Sequence, residues 1–552
     1  MRRLPASAFA GTTKTMSDDN ELHRHGRAAY VDDDELREAG FFEKTANSLL
    51  IGFFEGRPLY WNGAGGLLLK AGARSGKLRD VLAYNICAGT YSGSMLVLDM
   101  KGELAAISRD QTLLRKYCYY WNPLALHGLP QDRINPVDYI RIDSKTLVSD
   151  TKVYCQNILP KSGSANAEFF EARGQAFLEA IILTIVRLDG VLTLPRLYEV
   201  INLIPGNSAA WLSFAFEMQE AGFPISKSVE EEIAQSRDDT GGGFRGILGE
   251  VMKSVAALSD PTLTASVSPP FTASLADMTG TQACHFYLMP PAEFIDSWSP
   301  VIKALFVAGM IYKSRAPQAP SQTWILDECA QLGNFPLVTR MFTYGAGIGI
   351  RPWAVYQSHD QLRATGPNAE TIIPVSAAVQ SSFGIREIDT ATRLSRQIGY
   401  QSLEYDDGLR QAQSDLAYQQ AVQSLLAGGD PVQAAISIAH HSDASVHRAS
   451  QPRELLKPEE ALTRPPNRQV IFADGLLHPI DAEKSAYFDQ PFMAGRFHPN
   501  PFYPPLDRVR VRTRVGHAWL RVIREPVPPE FAHYPQYADG MWNRIEKGKW
   551  WQ

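Results

Sequence analysis

GLLLKAGARSGKLRD, residues 66–80, is the stretch whose reading decides the fold. Gly66–Ala71 is a short apolar run with the length of one buried strand. LRDVLAYNICAG, residues 78–89, spaces its apolar residues for one face of a helix, and SMLVLDMKGE, residues 94–103, is a second buried strand that ends in polar residues. Strand, glycine-rich loop, helix and strand in that order make a βαβ unit of a parallel sheet. The loop between strand and helix is GARSGKLRD, Gly72–Asp80. Small residues there let the backbone curl so that successive N–H groups aim at phosphate oxygens, and the helix N-terminus adds partial positive charge. Gly72, Ala73, Arg74, Ser75, Gly76, Lys77 and Leu78 are therefore the candidate phosphate cradle, with Lys77 reaching the β- and γ-phosphates of ATP. Counted from Gly72 the loop is one residue shorter than the usual P-loop spacing; counted from Ala71 the spacing is restored. Leu78 stands where a Ser or Thr would bind Mg²⁺.

A second segment completes the site. TWILDE, Thr323–Glu328, is an apolar strand that ends in two carboxylates. Beside the loop, Asp327 would hold Mg²⁺ directly or through water, and Glu328 would polarise the attacking water as general base. With Leu78 unable to ligate metal, Asp327 carries more of the Mg²⁺ than usual.

Length and composition bound the rest. The 552 residues suggest about three domains. A net charge of −5 gives no nucleic-acid footprint over the whole surface, so any DNA contact is local. The five cysteines, Cys87, Cys118, Cys155, Cys284 and Cys329, form no CxxC pair, which speaks against zinc and disulfide frameworks and fits a reducing compartment. The N-terminus has no signal-peptide apolar run. Phe177–Val186 is about half a membrane span, and the expectation is a cytoplasmic chain with no transmembrane helix.

Along the chain, residues 1–47 read as a polar leader with Met16 as an alternative start. Residues 48–150 and 270–488 carry the α/β texture, with further strands at Ser48–Phe54, Pro58–Trp61, Gly349–Gln357 and Ala377–Phe383. Residues 151–269 are mostly helical and read as an all-α insertion. A Gln- and Ala-rich segment, about 402–450, reads as a helical or flexible insertion. Residues 489–552 form a tail rich in Pro, aromatics and Arg. Its Arg508, Arg510, Arg512 and Arg514 alternate with Val509, Val511, Thr513 and Val515, so a strand would carry one cationic face. That face suits a phosphate backbone, an acidic partner or a charge-protected edge. The tail aromatics Tyr534, Tyr537, Trp542, Trp550 and Trp551 suit packing on the domain or stacking on a partner. His440 and His441 have no further ligand at metal spacing.

Several segments together resemble the TraG-type coupling proteins of type IV secretion and conjugation. VLDMKGE (97–103), INPVDYI (134–140), GIRPWAVYQSHDQLRATGP (349–367), FGIREIDTATRLSRQIG (383–399), PRELLKPEEAL (452–462) and VIFADGLLHPIDAEKSAYF (470–488) follow the family's motifs in order. The resemblance spans about Leu59 to Phe488. It implies a RecA-like P-loop NTPase domain with an inserted all-α domain, and a ring hexamer with ATP at subunit interfaces. It further implies recruitment of DNA–relaxase or effector protein substrates to a type IV secretion channel. Gln357 matches the family's polar strand end, which senses the γ-phosphate or positions water. Asp99 matches a strand-end aspartate, with a role in local structure or in DNA-facing loop geometry. Two departures stand out. The family carries membrane helices before the motor, so this chain would reach the membrane through a separate anchor protein or belong to a soluble branch. The family's arginine finger position is Ala346, with Arg340 and Arg351 nearby but not aligned. Leu78 and Ala346 motivate a rival expectation, a non-hydrolysing substrate-receptor adaptor with a degenerate nucleotide site. A partition-type DNA translocase on the same fold is a third.

Overall fold

The computed structural model describes residues 26–546 except 88–90, 110–115, 162–164, 207, 237–242, 407, 429, 433–435 and 437–447. The first part of the polar leader with Met16, the His440–His441 pair, and Trp550 and Trp551 lie outside the described residues. The chain divides into two compact units. The larger comprises Asp32–Gly384, Pro465–Leu476 and Ile480–Gln552; the smaller comprises Met1–Val31, Ile385–Arg464 and Leu477–Pro479.

The larger unit opens with the hairpin β1 (Leu49–Phe54) and β2 (Arg57–Trp61), then β3 (Gly66–Ala71), β4 (Ser94–Leu98) and β5 (Tyr117–Trp121). After a helical stretch come β6 (Cys284–Leu288), β7 (Gln322–Leu326), β8 (Ile350–Tyr356) and β9 (Ala377–Phe383). In the smaller unit, β10 (Tyr400–Asp406) and β11 (Arg448–Glu454) pair antiparallel, and the helix Gly408–Leu426 follows β10. The chain returns to the larger unit through β12 (Arg468–Ala473) and β13 (Ile480–Glu483).

These strands form an eleven-stranded sheet in the order β2-β1-β13-β12-β9-β3-β8-β7-β4-β6-β5. From β9 to β5 neighbouring strands run parallel; β12, β13, β1 and β2 extend the sheet as antiparallel neighbours. Central parallel strands are covered on both faces, so they must be apolar throughout rather than alternating. Accordingly β4, β6, β7 and β8 are buried along their whole length, and β3 is buried except at Lys70. β8 lies between β3 and β7, in register at Leu67–Trp353 and Trp353–Ile325. The carboxyl ends of β3, β8 and β7 therefore open on one edge of the sheet, where ligands of open α/β sheets bind.

Between β5 and β6 the chain is helical, including Leu147–Ile158, Ala165–Asp189, Leu194–Leu203, Ala209–Glu220, Pro224–Ser236 and Gly243–Val255. These helices share one apolar core with the sheet: Phe177, Ile181 and Val251 belong to the same buried cluster as Leu96, Phe286 and Trp324. The helix Ile295–Arg315 crosses this core. With its preceding turn it has the length and composition of a membrane span, yet 78% of its most apolar window is buried inside the protein. It is a core helix, longer than the Phe177–Val186 run that stands out in the sequence. Trp324 of β7 packs on it at Gly309, where a Cβ would stand 3.1 Å from the indole ring.

The described part of the tail, to residue 546, is built on strands. β14 (Arg508–Thr513), β15 (Gly516–Pro526) and β16 (Met541–Ile545) make an antiparallel three-stranded sheet. Tyr534, Tyr537 and Trp542 are buried together against the partly buried Tyr117. Gln536 donates to the Lys116 carbonyl and accepts from Cys118 N–H, at 3.0 Å each, so a side-chain amide occupies the edge of β5 that no strand pairs.

Trp324 is fully buried, and its Nε1 donates to Gln322 Oε1 at 2.9 Å. Trp324→Ala leaves a cavity under Gly309 and an unpaired amide oxygen. The expected loss is about 3–5 kcal/mol, read as a lower urea midpoint at unchanged slope.

Candidate active site

The cradle begins where β3 ends. Gly72 N–H donates to Phe383 O at 3.3 Å, and the two chains run so close that a Cβ at Gly72 would collide with the Gly384 carbonyl. Ser75 Oγ bonds Gly72 O at 2.6 Å, drawing the loop into a turn. Arg74 and Gly76 have φ of 58° and 91°, the left-handed region that curls backbone N–H groups to one side. Lys77 then leads directly into the π-helical turn Leu78–Leu82 and the helix Ala83–Cys87.

The structure brings four of the residues singled out in the sequence to one point. Lys77 Nζ lies 3.0 Å from Asp327 Oδ1 and is also paired with Glu328 Oε1. Glu328 Oε2 accepts from Gln357 Nε2 at 2.9 Å, and Gln357 N–H donates to Gln361 Oε1 at 2.8 Å. Burial works against the Lys77 charge, but the two carboxylates outweigh it and hold the ammonium's pKa above its ordinary value. Asp327 is pushed up by burial, with Lys77 opposing and Glu328 reinforcing the shift. Glu328 sits at φ 54°, a left-handed conformation that a carboxylate residue adopts only when its surroundings impose it.

This donor set fits a magnesium nucleotide. Asp327 Oδ1 is buried and accepts no hydrogen bond, only the ionic contact with Lys77, so it has a lone pair for a cation. Mg²⁺ characteristically takes one or two carboxylates and fills the rest of its shell with phosphate oxygens and water. Leu78 gives no hydroxyl, so that share would fall to Asp327.

A buried lysine that sequence reasoning passed over fixes the loop. Lys484, just after β13, lies with its Nζ 2.8 Å from Ser75 O and 3.2 Å from Asp80 Oδ2, over the Phe383 ring. Its side chain is 1% and that of Asp80 3% exposed, so the pair ties the closing hairpin to both ends of the cradle. The lysine is visible in the sequence as the Lys of HPIDAEKSAYF, yet nothing local announces its partner about 400 residues earlier.

The remaining candidates divide. Asp99 accepts from Glu103 N–H at 3.1 Å and Ala105 N–H at 2.8 Å, capping the short helix Glu103–Ile107; its bonds are those of local structure. Arg351 is buried near the amino end of β8, opposite the end that carries Gln357, and bonds Asn47 O at 3.0 Å, so it is committed inside the fold. Ala346 is exposed on the helix Pro336–Ile348.

Parallel strands in the order β9-β3-β8-β7-β4, a phosphate-type loop after β3 and a helical insertion define a RecA-like P-loop protein with an all-α part. The family model described as Type IV secretory system Conjugative DNA transfer matches residues 20–426, and the chain belongs to that family. Among its relatives, the conjugal transfer protein TraG of Escherichia coli is 21% identical over 427 residues, covering 68% of this chain and 64% of the relative. Protein VirD4 of Rhizobium rhizogenes is 23% identical over 398 residues, covering 68% and 56%. The chain thus spans between about half and two thirds of the length of these relatives. Among solved structures, the bacterial conjugative coupling protein TrwBΔN70 superposes with a TM-score of 0.58 at 15% identity, over 84% of this chain and 94% of that one. TrwB in complex with ADP and Mg²⁺ gives 0.57 at 15% identity over 84% and 94%. At this identity the superpositions carry the fold.

Lys484→Ala takes the donor from the Ser75 carbonyl and leaves the buried Asp80 carboxylate with Arg79 as its ionic partner. About 1–3 kcal/mol of stability should be lost, measured by urea denaturation. Combined with Asp80→Asn, the loss should be smaller than the sum of the two single losses; additive losses would deny the pairing.

Proposed function

We propose that this chain is an ATP-hydrolysing coupling protein that recruits DNA–relaxase or protein substrates and delivers them to a type IV secretion or conjugation channel. Family membership supports the coupling role. One observation supports the chemistry: Lys77, Asp327, Glu328 and Gln357 meet at the carboxyl ends of three adjacent parallel strands.

In this reading the loop from Gly72 to Leu78 holds the triphosphate, Lys77 neutralises the β- and γ-oxygens, and Asp327 holds Mg²⁺. When bound, the metal neutralises charge developing on the phosphate oxygens. Glu328 is the general base for the attacking water, and Gln357 keeps its carboxylate aimed. Lys77 pairs with the Glu328 oxygen that would take the proton and so competes for that base. Arriving phosphates give Lys77 a better partner, and Glu328 is then free to act. Base activation is thereby coupled to substrate entry.

The working unit is a homo-hexameric ring on the cytoplasmic side of the channel. Ala346 on the exposed helix face offers a neighbour no guanidinium, so hydrolysis is slow or takes its cation from elsewhere. Leu78, which lines the cleft, favours the second reading, a receptor that binds nucleotide without turning it over.

ATP turnover measured with and without single- and double-stranded DNA separates the two. Lys77→Ala should abolish nucleotide binding. Glu328→Gln should keep binding and lose about 10²–10⁴ in turnover, the usual worth of a positioned base. Turnover that is absent in the native chain, or insensitive to both substitutions, supports the adaptor.

A further inference from the structure

The cradle opens into a cleft of about 890 Å³ whose other wall is the C-terminal segment: Phe497, Tyr503, Arg508, Arg510 and Trp519 face it together with Lys77, Glu328 and Gln357. That volume suits a whole nucleotide rather than a lone phosphate. Six side chains lining the cleft are Lys or Arg and two, Glu103 and Glu328, are acidic, although the chain as a whole carries a net charge of −5. Arg508 and Arg510 supply two of those six.

We infer that the C-terminal segment is part of the nucleotide site, and that Arg508 and Arg510 are cationic residues that bind the polyphosphate in cis. The inference rests on the nucleotide reading above and deepens it. Three observations support it. First, the segment is anchored against the cradle side of the sheet: His498 N–H donates to Ile107 O at 2.8 Å, and Asn500 Nδ2 donates to Glu103 Oε1. Secondly, strand alternation buries Val509 and Val511 and turns Arg508, Arg510 and Arg512 to the opposite face. Only the first two of those arginines reach the cleft. Thirdly, they are available. Arg508 lies over the Trp519 ring at 5.3 Å and meets Asp507 only at 3.8 Å. The Arg510 side chain has no ion-pair or hydrogen-bond partner among the described residues, and its cross-strand neighbour is Trp519. A guanidinium held on a strand and left without an anion matches the planar, bidentate recognition of phosphate. Such a cation stands in the same chain as the loop, at a site where the neighbour-facing position is Ala346.

The test is calorimetric titration of the full chain with MgATP and with AMP, and separately with a single-stranded oligonucleotide. Arg508→Ala/Arg510→Ala should weaken ATP at least tenfold and AMP far less, since the lost partners are the β- and γ-phosphates. Arg512→Ala, on the same strand face but off the cleft, should leave ATP affinity unchanged. All three side chains are exposed, so thermal melting should show every variant folded. Native ATP affinity in the double variant overturns the inference while leaving the nucleotide reading intact. An Arg512→Ala loss as large as the double variant's also overturns it, because the effect is then general charge. Loss of oligonucleotide binding with ATP affinity retained makes the strand a nucleic-acid contact instead. A native chain that binds no ATP sinks the underlying reading itself.

Discussion

One ammonium shared by two carboxylates organises this molecule. Lys77 comes from a loop near the start of the chain, and Asp327 and Glu328 come from a strand 250 and 251 residues later. In water each exposed pair would contribute little. Here the groups are largely screened from solvent and converge where parallel strands end, so their separation is set by the sheet rather than by side-chain flexibility. β8 lies between the two strands and carries Gln357, which fixes the second carboxylate.

The sheet is in turn held to the loop by Lys484 and Asp80. A cradle must be rigid enough to present its N–H groups and yet empty enough to admit phosphate. The buried pair supplies rigidity from below, bonding the Ser75 carbonyl and the first turn of the following helix while leaving the loop's inner face open. The same segment that provides Lys484 continues over the cleft as the aromatic and arginine-bearing wall. The closing hairpin therefore bears on both sides of the cleft.

Much of this was legible in the sequence, for local reasons. β3 and β9 fall where their apolar runs place them, at Gly66–Ala71 and Ala377–Phe383, because central strands are short, apolar and bounded by glycines or turns. The cluster of Lys77, Asp327, Glu328 and Gln357 was legible because Lys77 ends the glycine-rich loop and the other three stand just after their strands. What escaped depends on distant pairing. β5, YCYYW, looks like an aromatic cluster and becomes a strand by pairing with β6 and by the cover of Gln536. Lys484 looks like a surface lysine until Asp80 is placed beside it. The RVRVRT alternation announced a strand with a charged face, but two of its arginines meet the nucleotide cleft only because the tail folds back across residues 103–107.

The central claim is that Lys77 exchanges two carboxylates for phosphates. A structure of the full chain with Mg²⁺ and a non-hydrolysable ATP analogue tests it directly. The account predicts Lys77 Nζ on β- or γ-phosphate oxygens, Glu328 released from it, and Gln357 still holding Glu328. An analogue bound elsewhere, with Lys77 still paired to Asp327 and Glu328, would contradict it.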